Sequence, residues 1–318
     1  MRIKIYEKSR VFITDFIKLL SLRKFVNRNS LDGIFYICDL HLGDTAIACS
    51  YASSFKKITK NNIFMVINEE HREIPKLFDL ECIIFKVPYF TDSLTEAMKQ
   101  IFLNLTNLFS HKKIFLSFPG FLQYFKIKKK SVWLDMYLRY MLTFDVKYPL
   151  KLESIKRTHL NGKYYLDKSF KELKLVKGKT VVISPNSRTM KSIDPSFFAD
   201  IYRELSSQGF TPIINSKDNY WNEMNIKNFF PEPQLLIDYI SLGGYSISSR
   251  SGISDLVSFL PDSKNLVIYN EDVNKDFIFA DKKLELYGEI KEFFYNKYKK
   301  KELVEEIVKY IRDLNKIL

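Results

Sequence analysis

Cysteine and histidine are scarce in this chain, and their few copies are scattered. Cys38, Cys49 and Cys82 are odd in number and do not fall at metal-ligand spacing. That argues against a disulfide framework and a zinc site, and they read as reduced, mostly buried thiols of a cytosolic protein. His41, His71, His111 and His159 lie far apart and suit surface or core positions better than a ligand set. No D-x-D triplet is present to hold a divalent cation, so no metal is expected. No G-x-G-x-x-G or Walker-type loop occurs either, which argues against dinucleotide oxidoreductases and P-loop NTPases. No apolar run is long enough to span a bilayer. The N-terminus interleaves Arg2, Lys4, Glu7, Lys8, Arg10 and Asp15 with its apolar residues, unlike a secretory signal. No short-period repeat competes with a globular reading.

Acidic residues are outnumbered, 37 against 50 Lys and Arg, for a net charge of +13. Such an excess suits nucleic acid, an anionic membrane face or phosphorylated substrates. A lysine-rich, AT-biased coding sequence would produce the same excess, and the charge alone does not choose among these. Hydrophobic residues make up 46% of 318 positions, enough for a substantial core and for two α/β domains.

The periodicity alternates along the chain. Residues 1–30 read as a helix on the stripe Val11, Phe12, Phe16, Leu19 and Leu20. Residues 33–38 form an apolar strand-like run, and 44–57 a helix. Residues 63–67 and 82–87 read as strands, 92–109 as a helix and 114–118 as a strand ended by Pro119-Gly120. After a polar stretch at 151–178 the alternation restarts. Strands are expected at 180–184, 210–215, 245–249 and 265–269. Helices are expected at 195–208, 234–242, 254–260 and 301–318. Two βα series imply parallel sheets covered on both faces. The expected organisation is a Rossmann-like domain at 1–150, a linker at 151–178, a second Rossmann-like domain at 179–300 and a C-terminal helix at 301–318.

In open α/β sheets, ligands bind beyond the carboxyl ends of the strands, so the loops there matter most. The first is Leu42-Gly43-Asp44-Thr45, with His41 just before it. Gly43 permits close backbone approach. Asp44 either caps a helix or accepts a proton from a substrate hydroxyl. The second is Ser184-Pro185-Asn186-Ser187-Arg188-Thr189-Met190-Lys191, either a phosphate-holding loop with two cations or a solvated turn. The third is Ser248-Ser249-Arg250-Ser251-Gly252-Ile253-Ser254-Asp255. Amides at its helix start and the Arg250 charge suit a diphosphate; the plainer alternative is a turn with Ser254 as N-cap.

These short segments, in this order and spacing, resemble the bacterial heptosyltransferase family, a glycosyltransferase family 9-like group. The resemblance spans nearly the whole chain and implies the GT-B architecture, with two Rossmann-like domains facing a central cleft. Gly43-Asp44 matches the family's first-loop Gly-Asp, which makes Asp44 the implied catalytic base, with Gly43 and His41 on the acceptor side. Ser187, Arg188 and Lys191 match part of the donor site, and Ser251-Gly252-Ile253 matches the diphosphate loop. Where the family carries an aspartate before that glycine and a histidine three residues after it, this chain has Arg250 and Asp255. The departure points the donor away from ADP-heptose and adds Arg250 to the implied donor-binding set.

The implied activity is metal-independent, inverting transfer of a sugar from a nucleoside-diphosphate donor, which is a substrate rather than a cofactor. The acceptor is a glycan or a lipid-linked glycan, as in bacterial surface polysaccharide synthesis. Residues 121–141 mix Phe121, Leu122, Tyr124, Phe125 and Trp133 with Lys126, Lys128, Lys129 and Lys130. That composition suits either an anionic membrane face or a core helix beside a solvated lysine run. A cytoplasmic enzyme, peripheral at the inner face of the plasma membrane, is expected, with no nucleic-acid partner. Two alternatives stay open: a nucleotide-sugar epimerase, and a basic polysaccharide- or nucleic-acid-binding protein without catalysis.

Overall fold

Short apolar runs make the strands of this protein. Ile34–Cys38 and Ile63–Ile67 are buried at every position, as parallel strands covered on both faces must be. The computed structural model describes residues 2–38, 42–85, 93–108, 112–116, 158, 160, 173–187, 191–271 and 288–316. The chain divides into two compact units, Met1–Thr158 and His159–Leu318.

The first unit contains α1 (Arg2–Arg28), β1 (Ile34–Cys38), α2 (Leu42–Thr59), β2 (Ile63–Ile67), α3 (Ile74–Leu77), β3 (Glu81–Ile84), α4 (Ser93–Leu108) and β4 (Lys113–Leu116). Its four strands are all parallel, in the order β3-β2-β1-β4. The chain therefore leaves β1 towards β2 on one side and returns to β4 on the other. Gly33 precedes β1 at a φ of +150°, and a Cβ there would meet the Asn62 carbonyl at 2.5 Å. Leu19, Leu22 and Val26 bury one face of α1. Asp15 on α1 and Lys99 on α4 form an ion pair at 2.6 Å with side chains 4% and 1% exposed. Phe16 and Phe102 pack with ring centroids 4.0 Å apart, and Arg23 donates to the Thr106 hydroxyl at 2.5 Å and to its carbonyl at 2.7 Å. These contacts fix α1 alongside α4.

The second unit contains β5 (Thr180–Ser184), α5 (Pro195–Ser207), β6 (Thr211–Asn215), α6 (Tyr220–Glu223), β7 (Asn228–Phe229) and α7 (Pro233–Gly243). It continues with β8 (Tyr245–Ser249), α8 (Gly252–Val257), β9 (Lys264–Asn270), β10 (Glu289–Tyr295) and α9 (Lys300–Asn315). All six strands are parallel, in the order β10-β9-β8-β5-β6-β7. Counted within the unit, this is the doubly wound Rossmann order, whose direction reverses between its first and fourth strands. Here those are β5 and β8. Asp194 caps α5 by accepting from the Ser196 amide at 2.9 Å, and Gly244 ends α7 at a φ of +81°. The apolar face of α9, with Leu303, Val304, Ile307, Val308 and Ile311, packs into the same core as Val181, Ile183, Phe197 and Ile201.

The α/β reading with two parallel sheets agrees with these elements. Two strands escaped the sequence pattern, the two-residue β7 and the outer strand β10. Glu289-Ile290-Lys291-Glu292-Phe293-Phe294-Tyr295 forms the outer strand β10, and its charges suit a sheet edge, where one face and one flank meet solvent. The helix expected at 254–260 instead runs Gly252–Val257. Cys38, Cys49 and Cys82 are unbridged, Cys38 and Cys49 being buried, and burial pushes the Cys49 thiol well above its usual value. Among the described residues no helix is long and apolar enough to cross a membrane. The basic, aromatic segment at 121–141 lies outside the described residues, as does most of 151–178.

Candidate functional site

Parallel strands all end on one side, and the loops leaving β5 and β8 diverge to opposite faces of the sheet. The gap between them is the crevice where this topology places ligands. Side-chain bonds tie the two loops together. The Ser249 hydroxyl, at the end of β8, donates to the Pro185 carbonyl at 2.6 Å. The Ser187 hydroxyl, beyond β5, donates to the Arg250 carbonyl at 2.7 Å. The second and third loops singled out in the sequence thus form one structure, although more than 60 residues separate the bonded groups.

Arg250 is the centre of the β8 loop, and its side chain turns inward. Its Nη1 donates to the Ser251 carbonyl at 2.9 Å, the Ser254 hydroxyl at 3.0 Å and Asp255 Oδ2 at 2.8 Å. Its Nη2 sits 2.8 Å from Asp255 Oδ1, with the two side chains 6% and 12% exposed. This is a buried guanidinium–carboxylate pair with one charge-assisted hydrogen bond, through Nη1, and a second close contact through Nη2. The Arg250 charge is balanced within the loop, so Arg250 shapes the turn that presents Ser251, Gly252 and Ile253. Ser254 completes that turn, accepting from the Ser251 amide at 3.0 Å and donating to the Ser251 carbonyl at 2.6 Å. The helix N-cap is therefore Ser251, not Ser254.

Lys191 is exposed in the segment between β5 and α5, two residues before the buried Ile193. The nearby Asp194 carboxyl lies below its usual range because the Ser196 backbone and hydroxyl donate to it. Arg188 lies outside the described residues.

A third loop, after β6, joins this end of the sheet, and the sequence reading missed it. Asn186 Nδ2 donates to Asp218 Oδ2 at 2.8 Å and to the Ser216 hydroxyl at 3.1 Å. Ser216 in turn donates to Asp218 Oδ2 at 3.1 Å. Asn228 Nδ2 reaches the Ser216 and Asp218 carbonyls, each at 3.2 Å. Asp218 thereby becomes a positioned, exposed carboxylate beside the β5 loop. The available signal was an acidic residue just past the second strand of a βαβ unit, where dinucleotide folds recognise ribose hydroxyls.

In the first unit, α2 begins at Leu42 and Asp44 lies in its first turn, half-buried. Asp44 is therefore inside the helix rather than its N-cap. That turn is positive at its exposed amides and favours a carboxylate over an uncharged group. Gly43 is buried. The Cys38 thiol at the end of β1 donates to the buried Thr45 hydroxyl at 3.6 Å, which sets the start of α2 against the strand it follows. His41 lies outside the described residues.

Among the described residues no three His, Cys, Asp or Glu side chains gather to hold a metal ion. A cavity of about 530 Å³ lies on the flank of the second unit, lined by Asp200 and Arg203 of α5, Lys301 of α9 and Lys297 just before α9. None of its lining residues belongs to the loops after β5, β6 or β8.

No family model and no curated protein matches the chain. Solved structures do. A glycosyl transferase family 9 structure from Veillonella parvula DSM 2008 superposes with a TM-score of 0.59 at 11% identity, covering 91% of this chain and 98% of that one. The E. coli heptosyltransferase WaaC with ADP gives 0.58 at 11% identity over 89% and 99%. A putative UDP-N-acetylglucosamine 2-epimerase from Listeria monocytogenes gives 0.50 at 9% identity over 88% and 87%. The likeness establishes the fold: this chain has the architecture of family 9 glycosyltransferase and heptosyltransferase structures over nearly its whole length.

Proposed function

We propose that this chain is a glycosyltransferase that moves a sugar from a nucleoside diphosphate donor to a hydroxyl of a glycan or lipid-linked acceptor. One observation carries the reading: the bonded pair of loops at the β5–β8 switch point, in a sheet of doubly wound order. The donor diphosphate sits against the amides of Ser251, Gly252 and Ile253, with the Ser187 hydroxyl beside it. Lys191, with Arg188, offsets its charge. Asp218 takes the ribose hydroxyls, and Arg250 and Asp255 hold the loop in shape.

In the transfer step Asp44 accepts the acceptor hydroxyl proton as that oxygen attacks the anomeric carbon. The new bond is carbon to acceptor oxygen, and the bond that breaks joins the anomeric carbon to the diphosphate oxygen. Its electron pair leaves on the diphosphate, where the cations and amides receive it. Attack from the side opposite the leaving group inverts the anomeric centre. Donor charge is met by side chains and amides without a metal ion. The enzyme works in the cytoplasm, in surface polysaccharide synthesis.

The test is a thermal-shift screen of nucleoside diphosphates and nucleotide sugars, followed by a transfer assay with the donor that binds. A bound donor raises apparent stability. Asp44→Asn is expected to keep donor binding and lose about 100-fold or more in turnover, the scale of a general base. Full turnover in Asp44→Asn removes that residue from the mechanism. Formation of the epimeric sugar from a nucleotide sugar without any acceptor makes the protein an epimerase instead, and no nucleotide response in any arm overturns the donor site.

A further inference from the structure

The first unit carries an apolar surface that its own core does not use. α1 buries Leu19, Leu22 and Val26, while Ile13, Ile17 and Leu20 are 57%, 58% and 47% exposed. Those three positions, continued by the exposed Lys24, follow the i, i+4, i+7 spacing of one helical stripe. α4 repeats the pattern. Lys99, Leu103 and Asn107 face inward, and Met98, Ile101 and Leu105 are 46%, 52% and 55% exposed. The Asp15–Lys99 ion pair and the Phe16–Phe102 packing hold the helices side by side, so the two stripes make one face. Single exposed apolar residues are ordinary, but six aligned on neighbouring helices mark an interaction surface. Among the described residues none covers it.

We propose that this face seats the protein on an anionic lipid bilayer. Charge complementarity selects that occupant. Residues 13–28 of α1 carry Lys18, Arg23, Lys24 and Arg28 against a single carboxylate, Asp15, which is buried in its ion pair. Lys24 and Arg28 are exposed at the C-terminal end of the stripe. Apolar side chains flanked by cations fit the boundary between acidic headgroups and acyl chains. A second copy of the chain is the competing occupant. A two-fold contact would set the same patch against itself, and the α1 stripe offers Lys24 and Arg28 no exposed carboxylate to meet. An anionic bilayer turns those same charges into attraction. The inference does not depend on the sugar-transfer reading, because it concerns a surface outside the strand-end loops.

Vesicle flotation of the full chain tests it, with phosphatidylcholine alone against phosphatidylcholine containing phosphatidylglycerol. Binding is expected on the anionic vesicles, weakening with salt, and about tenfold weaker on the neutral ones. Ile17→Ser combined with Ile101→Ser is expected to cut anionic binding by about tenfold while the thermal midpoint is unchanged. Lys24→Glu with Arg28→Glu should abolish the salt dependence. Equal binding to both vesicle types, no binding, or binding indifferent to these variants overturns the proposal. A concentration-dependent dimer that Ile17→Ser with Ile101→Ser dissociates assigns the face to a second copy and overturns it too.

Discussion

Arg250 and Asp255 meet through both terminal guanidinium nitrogens and both carboxylate oxygens, inside the loop that follows β8. Neither side chain is more than 12% exposed, so each charge is stable only because the other is present. Deleting one partner leaves a buried, uncompensated charge, which costs about 3–5 kcal/mol. Arg250→Ala and Asp255→Ala are each expected to lower the urea midpoint of the second unit strongly. The double variant should be less destabilised than the sum of the two. Additive single losses in that cycle would mean that the pair is not coupled.

Ser187 bridges the β5 loop to the Arg250 carbonyl. Ser187→Ala removes one neutral hydrogen bond, worth about 0.5–1.5 kcal/mol, from a half-buried position. Global stability should fall little. On the proposed donor site, nucleotide affinity should fall further than stability does, because the bond fixes the spacing of the two loops proposed to hold the diphosphate. Calorimetric titration of the variant checks this, and an unchanged affinity removes Ser187 from the donor site.

Much of this was legible in the chain itself, and the reason is local. Strands buried on both faces read as unbroken apolar runs, so Ile34–Cys38 and Ile63–Ile67 stand out directly. The strand-end loops were legible because topology, not side-chain detail, puts ligands there. The direction of a side chain was not legible. Arg250 reads as a phosphate cation in one dimension and proves to be paired five residues away. Asp218 passed unnoticed because its role depends on Asn186, 32 positions earlier. The outward stripe of α1 was hidden because the helix is apolar on two sides, which blurs the single-face periodicity that sequence reading detects.

Gly243 and Gly244 adjoin at the end of α7 but should respond differently to substitution. A Cβ on Gly243 would lie 2.0 Å from the Thr180 carbonyl oxygen, while one on Gly244 meets nothing within 4 Å. Gly243→Ala must push α7 away from the first residue of β5, and backbone on both sides resists it. Overpacking of that kind costs about 1–3 kcal/mol or more. Gly244 only needs its φ of +81°, so Gly244→Ala should cost about 1 kcal/mol, and Gly244→Asn less, since asparagine tolerates that region. Denaturation midpoints of the three variants check the order, and equal losses at both positions would contradict it.

The alkaline limit of the second unit should depend on Tyr310. Burial, and then the Glu289 carboxylate that accepts its hydroxyl hydrogen bond, raise the Tyr310 phenol from an ordinary 10.0 to about 12. The folded state therefore keeps its proton at pH values where the unfolded chain releases it. The associated stability is fully present below pH 10 and is lost as pH rises through about 12. Glu289 behaves in the opposite sense. Lys264 and Tyr310 donate to it and hold its carboxyl below the ordinary 4.5, so its contribution is present above that value and fades as pH falls. Tyr310→Phe removes the phenolic proton and a single donor to Glu289. Urea midpoints across pH should show the variant losing less stability than wild type between pH 10 and 12 and more shallowly in acid, because one of the two donors that depress Glu289 is gone. Parallel wild-type and variant curves at high pH would place the alkaline transition elsewhere.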